Sequence, residues 1–207
     1  MWILILPMML GFACLIGFIA GRSIASRHNV GEALVANIIS DGLQRPHLLV
    51  NNVTLPIGEN TSQIDHVLVT DTGIFVIETK HYTGWIFGDP HAHQWTQVIY
   101  RKKFKFLNPL RQNHGHLKAL QALFNLPANA FFSLVVFTGD AEFKADLGPH
   151  VIKFPQLLEH LRAERPVLFD ERRMTYIVGR IEMKRMRRSI ETDEYHLNLV
   201  RERIQAD

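Results

Sequence analysis

The hydrophobic pattern begins with an apolar segment, Trp2–Ala20, that contains no charged residue. At about 1.5 Å rise per residue, a helix of this length spans the hydrocarbon core of a bilayer. Arg22 and Arg27 follow this segment and no basic side chain precedes it, so the positive-inside rule places the rest of the chain in the cytoplasm. The pattern predicts a transmembrane anchor over residues 1–21 and a linker over residues 22–30. A cleaved signal peptide is the alternative, although such peptides begin with basic residues and have a shorter apolar segment.

The remaining chain alternates between helical and strand periodicity. Apolar spacing predicts a first helix over residues 31–39, and β-branched residues predict three strands after it. The strands are expected at His47–Leu55, Gln63–Thr70 and Ile74–Thr79, followed by a short strand or hairpin over 84–100, a break at 101–103, a helix over 109–124, a buried strand over 131–138, and helices over 155–163, 170–186 and 192–204. This order predicts an α/β fold with a mixed β-sheet flanked by helices. Its core would be residues 31–140, with residues 141–207 as a C-terminal helical extension packed on that core.

Composition narrows the class of protein only slightly. Hydrophobic residues make up 47% of the chain and charged residues 21%, which is typical of a globular domain and argues against disorder. The net charge of +3 suits a polyanionic partner and an anionic membrane surface equally well. The single cysteine, Cys14, lies in the apolar segment, so the rest of the chain has no internal disulfide and no cysteine-based zinc site.

Three charged residues stand at the ends of otherwise apolar strands. Glu78 and Lys80 share one face of their strand, and the turn before that strand can bring Asp65 close to both. Two buried carboxylates repel each other unless a proton or a cation compensates. Oxygen ligands suit Mg²⁺ or Mn²⁺, and a lysine beside the metal can stabilise charge on a phosphate, so the group is suited to phosphodiester hydrolysis. The alternative is a salt bridge between Glu78 and Lys80 on an exposed strand.

Several short motifs accompany these charged residues along the chain. They are Gly31-Glu32, Gln63-Ile64-Asp65-His66-Val67, Gly73-Ile74-Phe75-Val76-Ile77-Glu78-Thr79-Lys80, Gly84-Trp85-Ile86-x-Gly88, Trp95 and Asn108-Pro109-Leu110-x-Gln112. Together they resemble the NERD (nuclease-related domain) family, which is related to the PD-(D/E)XK nuclease fold. The resemblance covers roughly residues 31–124, and the strand at 131–138 extends it. It implies a restriction-endonuclease-like α-β-β-β-α-β core.

The resemblance also implies a role for each matching residue. Asp65 and Glu78 would be metal ligands and Lys80 the catalytic lysine. Glu32 would be an accessory acid, and Gln112, on the helix after the sheet, would help to position the substrate.

The chain is therefore predicted to be a membrane-anchored nuclease that depends on Mg²⁺ or Mn²⁺. Its expected partners are nucleic acid, DNA in preference to RNA because of the family resemblance, and the membrane through residues 2–20. Its expected location is the bacterial inner membrane, with the C-terminal domain in the cytoplasm. The alternative is a catalytically silent nuclease-fold module that binds nucleic acid or a partner at the membrane. The presence of all four charged residues, Glu32, Asp65, Glu78 and Lys80, favours a functional metal site.

Two other patterns have a functional and a structural interpretation. His91-Ala92-His93 and His114-Gly115-His116 each resemble half of a zinc site, but no third ligand stands at a recognisable spacing. Residues two apart on a helix point in different directions, so at most one of His114 and His116 joins the site. Arg101, Lys102, Lys103 and Lys105 alternate with phenylalanines, which is typical of nucleic-acid contact and equally of a solvated edge strand.

Overall fold

The computed structural model describes residues 30–187 and 189–206. The predicted anchor and all but the last residue of the predicted linker lie outside these ranges. Within the described ranges, no helix combines the length and the apolar character needed to cross a membrane.

The described chain forms nine strands and five α-helices. The strands are β1 His47–Ile57, β2 Asn60–Thr70, β3 Gly73–Lys80, β4 Gly84–Phe87, β5 Gln94–Ile99, β6 Lys102–Leu107, β7 Phe131–Phe137, β8 Ala141–Phe143 and β9 Val151–Lys153. The helices are α1 over residues 30–42, α2 Pro109–Gln121, α3 Leu157–Arg162, α4 Glu171–Lys184 and α5 Ile190–Ala206. Short 3-10 turns precede β7 and α3. The long predicted elements are present, with ends shifted by a few residues.

The strands form two sheets. The first has the order β1-β2-β3-β7-β9, antiparallel from β1 to β3 and parallel from β3 to β9. The second has the order β6-β5-β4-β8, in which only β4 and β8 are parallel. The predicted mixed α/β class is confirmed, but the expectation of one sheet is incomplete. β6 begins at Lys102, inside the predicted break at residues 101–103, because the chain already turns at Tyr100 and Arg101. Tyr100 has a φ of 55° in this turn.

Helices cover both faces of the first sheet. On one face, α2 and α4 pack against β1, β2 and β3, and on the other α1 and α3 pack against β2, β3 and β7. The second sheet packs one of its faces against the end of β7. Central members of the three clusters are Val76, Leu120 and Ile177; Ile39, Phe75 and Leu157; and Ile86, Trp95 and Phe137. Residues after 140 thus contribute strands β8 and β9 as well as helices.

The side chain of Asn108 joins the start of α2 to the loop before β5. Its carbonyl oxygen accepts the N–H of Leu110 at 2.9 Å and so caps the helix. Its amide donates to the carbonyl oxygens of Pro90 at 2.9 Å and Ala92 at 2.7 Å. Asn108 is fully buried, so these carbonyl groups have little access to water.

A second buried asparagine, Asn113, holds α2 against the sheet. Its amide donates to the carbonyl oxygens of Val76 on β3 at 2.8 Å and Leu134 on β7 at 3.1 Å, and to Oγ of Ser133 at 2.9 Å. Buried polar groups of this kind fix the position of a helix because each displaced partner would lose its hydrogen bond. The side chains on this face of α2 are therefore held at a fixed height over β3.

We expect Asn108→Ala to lower the free energy of unfolding by about 2 kcal/mol, because the helix cap is lost and buried carbonyl groups lose their donor. Urea denaturation of the full chain in a mild detergent measures this change. Asn37→Ala is the matched control: Asn37 is exposed on α1, so its replacement should change stability by less than about 0.5 kcal/mol. Equal effects of the two substitutions would contradict the role given to Asn108.

Candidate active site

Asp65 and Glu78 lie where the pairing between β2 and β3 ends. The last paired residues are His66 and Ile77. Beyond that pair, Oδ2 of Asp65 accepts the backbone N–H of Thr79 at 2.7 Å. A carboxylate thus takes the place of a backbone acceptor at the edge of the pairing, which keeps Asp65 beside the end of β3.

Glu78 and Lys80 form a buried ion pair. Nζ of Lys80 donates to Oε1 of Glu78 at 2.5 Å and to Oε1 of Gln112, on α2, at 3.2 Å. Glu78 is 0% exposed and Lys80 is 6% exposed. The salt bridge considered as an alternative therefore exists, but the expectation that it lies on an exposed strand is wrong, because helix α2 covers this end of the sheet. Loss of one partner from such a pair leaves an uncompensated buried charge, which typically costs about 3–5 kcal/mol.

His116 joins this cluster from α2. It lies four residues after Gln112, so the two side chains share one face of the helix. Its Nε2 is 3.3 Å from Oε2 of Glu78, and its Nδ1 is 2.6 Å from Oγ of Ser62. Neither His116 Nε2 nor Glu78 Oε2 makes a hydrogen bond of good geometry within the described residues. Glu78 thus uses one oxygen for Lys80, while its other oxygen lies beside the ring of His116.

The two carboxyl groups titrate in opposite directions. Burial raises the pKa of Asp65 well above its usual range, and the charges of Glu78 and Glu32 add to this effect. Burial also acts to raise the pKa of Glu78, but Lys80 and His116 outweigh it and lower that pKa to about 2. Glu78 is therefore ionised at neutral pH, whereas Asp65 keeps its proton over a pH range in which an exposed aspartate is ionised.

Lys80 remains charged despite its burial. Desolvation acts to lower the pKa of its amine, but the nearby carboxyl groups of Glu78 and Asp65 raise it above the ordinary value. An ammonium group in this position donates hydrogen bonds and attracts anions. It cannot act as a general base at neutral pH.

The N-terminus of α1 approaches the cluster closely because residue 31 is glycine. A Cβ atom on Gly31 would lie 2.6 Å from Oγ1 of Thr138 and 2.9 Å from Cβ of His81. This close approach brings Glu32 near the ends of β2 and β3, where its charge contributes to the raised pKa of Asp65. The predicted accessory acid thus lies within electrostatic range of the predicted ligands.

His66 is a further buried polar group beside Asp65. Burial lowers its pKa to about 4, although the charges of Glu32 and Glu78 oppose this shift. Its Nδ1 is 2.7 Å from Oδ1 of Asn51, and its Nε2 has no hydrogen-bond partner in the described part of the chain. The ring is therefore neutral at pH 7 and carries one unsatisfied nitrogen near the carboxyl cluster.

The donor set of Asp65 and Glu78 fits a divalent cation that takes oxygen ligands. Oε2 of Glu78 is buried without a hydrogen bond of good geometry in the described part of the chain, and the charged form of Asp65 is disfavoured until a positive charge compensates it. Across residues 30–187 and 189–206, no group of three or more His, Cys, Asp or Glu side chains is arranged around one metal position. Two carboxylates with water and substrate oxygens as the other ligands is a usual arrangement for Mg²⁺.

The structure brings together the predicted residues Asp65, Glu78, Lys80 and Gln112 by direct contacts or pairing, and places Glu32 near them. Sequence reasoning left His66 and Ser62 out of the site and did not choose between His114 and His116. The spacing of Gln112 and His116, four residues apart on a predicted helix, was the available signal. The remaining histidines of the two pairs, His91, His93 and His114, are exposed. The predicted nucleic-acid contacts are also exposed: Arg101 lies in the turn before β6, and Lys102, Lys103 and Lys105 lie on β6.

The structure has a mixed sheet, two carboxylates and a lysine where the pairing of β2 and β3 ends, and a covering helix that supplies a glutamine, as the resemblance to nuclease-related domains implied. Sequence comparison agrees with this assignment: the model of the family NERD, described as nuclease-related domain, matches residues 27–138, more than half of the chain. The chain belongs to this family. An uncharacterized protein of Bacillus anthracis is similar, with 45% identity over 95 residues, which are 45% of this chain and 44% of that protein. The aligned segment thus spans less than half of that relative.

Replacing each of the two carboxyl groups by an amide should change the free energy of unfolding in opposite directions. The measurements are made in EDTA, so that no divalent cation is bound. An unfolded aspartate ionises near pH 3.9, while folded Asp65 keeps its proton to higher pH, so its contribution to stability falls as pH rises above about 4. Asp65→Asn removes this penalty and should raise the free energy of unfolding at pH 7, a gain that vanishes toward pH 4. Glu78→Gln should destabilise it by about 3 kcal/mol at pH 7, because Lys80 loses its partner.

Urea denaturation of the full chain at pH 4 and pH 7 tests both signs. The contribution of Glu78 is present above the unfolded pKa and is lost as pH falls toward about 2. The loss caused by Glu78→Gln should therefore be smaller at pH 4 than at pH 7. An Asp65→Asn chain that is less stable than wild type at pH 7 would contradict the electrostatic assignment.

Proposed function

We propose that this chain is a membrane-anchored nuclease that depends on a divalent metal and hydrolyses phosphodiester bonds, in DNA in preference to RNA. The observation that carries the proposal is the buried cluster of Asp65, Glu78 and Lys80 at the point where the pairing between β2 and β3 ends. Membership of the nuclease-related family supports a nuclease-related function. Charges of both signs are rarely buried together without a role, because each must be stripped of water.

In this proposal Asp65 and Glu78 hold Mg²⁺ or Mn²⁺. When bound, such a cation supplies a Lewis acid that neutralises charge on a phosphate and lowers the pKa of a bound water. Asp65 gives up its proton on binding, so affinity for the cation should rise with pH. Glu78 can serve the cation through Oε2 while Oε1 remains bonded to Lys80.

Lys80 would stabilise the negative charge that develops on the phosphate during hydrolysis. Its ammonium group is already oriented by Glu78 and Gln112, so little reorganisation is needed when charge develops. Gln112 is half-buried, and its remaining exposure lets it contact substrate beside Lys80. Glu32 would act as an accessory acid. Its charge is close enough to Asp65 to raise the pKa of that residue.

Lys80→Met should reduce cleavage by about 100-fold or more, since a preorganised donor to the developing charge is removed. The full chain in detergent is incubated with plasmid, linear DNA and RNA in Mg²⁺, Mn²⁺ or EDTA. Glu78→Gln should be equally inactive. Lys118→Met is the matched control, because Lys118 is exposed on α2 and should cleave like wild type.

Three outcomes would contradict the nuclease proposal. Cleavage that persists in EDTA would exclude a role for the metal. Equal cleavage by the Lys80 and Lys118 variants would point to a contaminating enzyme. A folded chain that binds nucleic acid but cleaves none of the polymers would favour the silent binding module.

The membrane part of the proposal is supported by the apolar segment Trp2–Ala20 and the arginines after it. The lone cysteine, Cys14, provides a probe within that segment. We expect a water-soluble maleimide to label Cys14 only after the membrane is dissolved, and the chain to resist extraction by alkaline carbonate. Deletion of residues 2–20 should release the chain into the soluble fraction.

Orientation is tested with Tyr100→Cys in a Cys14→Ser background, because Tyr100 is 96% exposed. The new cysteine should react in inside-out vesicles and not in intact cells. Labelling in intact cells would overturn the cytoplasmic orientation, and release of the wild-type chain by carbonate would overturn the anchor.

A further inference from the structure

The outer face of the second sheet carries aromatic and basic side chains in matching rows. Residues that pair directly across neighbouring strands project from the same face. The registers of β4 with β5 and of β5 with β6 define two such rows. One row is Trp85, Val98 and Lys103, and the next is Phe87, Thr96 and Lys105. Each row thus has an aromatic ring on β4 and an ammonium group on β6, and the first row continues beyond Trp85 to Glu142 on β8.

This face is open to solvent. Trp85 is 49% exposed and Phe87 is 40% exposed, and Lys103 and Lys105 are exposed as well. The residue between the two aromatics, Ile86, points the other way and is fully buried in the core between the sheets. The alternation therefore leaves the two aromatic rings outside that core.

The charge around the aromatic rings is positive. Nζ of Lys144, on the chain after β8, lies 4.8 Å from the centroid of the Trp85 ring. The nearby acid, Glu142, is paired with Lys144. With Lys103 and Lys105 across the sheet, a polyanion is the complementary ligand for this face.

We propose that the outer face of the second sheet binds single-stranded nucleic acid, with bases stacked on Trp85 and Phe87 and phosphates bound by Lys103 and Lys105. Strand rise separates the two rows by about 6.7 Å, and two strand spacings place each lysine Cα about 10 Å from its aromatic partner. Stacking on a protein ring requires an unpaired base, because bases in a duplex stack on one another. The register also removes one residue from the basic contacts predicted from sequence. Lys102 pairs with Ile99 and therefore projects from the opposite face of the sheet to Lys103 and Lys105.

The face is joined to the candidate active site at two points. Trp85 follows Lys80 by five residues, and Gln112 follows Lys105 by seven. The second connection is held by Asn108, which is fully buried. The binding face is therefore connected to the cluster by short segments of chain. Its purpose in cleavage rests on the proposed nuclease function, whereas the binding itself needs no cleavage.

Fluorescence anisotropy of the full chain in detergent, with EDTA to prevent cleavage, tests the binding. The probes are labelled oligo(dT), an RNA of equal length and a DNA duplex. Trp85→Ala and Phe87→Ala should each weaken binding of the single strands by about 5- to 100-fold, and Trp85→Phe should keep most of the affinity. Phe104→Ala is the matched control: Phe104 is 48% exposed on the same sheet but pairs with Gln97, on the opposite face. It should stay within twofold of wild type.

Salt dependence tests the lysines separately. Lys103→Gln and Lys105→Gln should each reduce the slope of log affinity against log salt by about 0.7, the value for one phosphate of a single strand. Lys102→Gln should leave the slope unchanged.

The inference is overturned if the duplex binds as tightly as the single strands, or if Trp85→Ala and Phe104→Ala have equal effects. It is also overturned if the chain binds anionic lipid vesicles through Trp85 but binds no oligonucleotide. Lys118→Met, at an exposed position of α2, should bind like wild type. If wild type shows the expected binding pattern but never cleaves, the nuclease proposal fails and the binding face stands.

Discussion

The ion pair between Glu78 and Lys80 is the interaction on which this end of the molecule depends. Both groups lie almost entirely out of water, two residues apart at the end of β3. Neither charge is tolerable there alone, so the pair requires β3 to keep its register and α2 to stay closed over it. Burial raises the pKa of Asp65, and the negative charge of Glu78 beside it adds to this effect, which is why Asp65 retains its proton to higher pH.

Buried polar groups hold α2 in place over the ion pair. Asn113 bonds to carbonyl groups of both β3 and β7, and Asn108 fixes the helix start to a loop of the second sheet. These bonds are made during folding, so Gln112 and His116 are in position before any ligand arrives. The cost of removing Glu78 and Lys80 from water is likewise met by folding, which leaves a preorganised electrostatic environment.

Strand periodicity was sufficient to predict the central part of this site. Asp65 precedes the apolar part of β2, Glu78 and Lys80 end β3, and a short turn joins the two strands, so their proximity follows from local pairing. His116 was harder to place, because its role depends on the packing angle of α2, which no local pattern encodes. The second sheet was missed for a similar reason: its strands are short, and β4 pairs with β8, more than fifty residues away in sequence. Such nonlocal pairing leaves little periodic signal in either strand.

The unequal protonation of the two acids has a consequence for how such a site would take up a cation. Glu78 is ionised, and one of its oxygens makes no hydrogen bond of good geometry within the described residues, so Glu78 would form the permanent half of the site. In the proposed metal site, Asp65 would exchange its proton for the cation and would be the conditional half. Lys80 reduces the net negative charge of the site, because its ammonium group neutralises the carboxylate of Glu78. The net charge of the three groups is therefore near zero with Asp65 protonated, and a divalent cation makes the site positive. A positive site is the one that attracts a phosphate group, so cation uptake and substrate binding would favour each other.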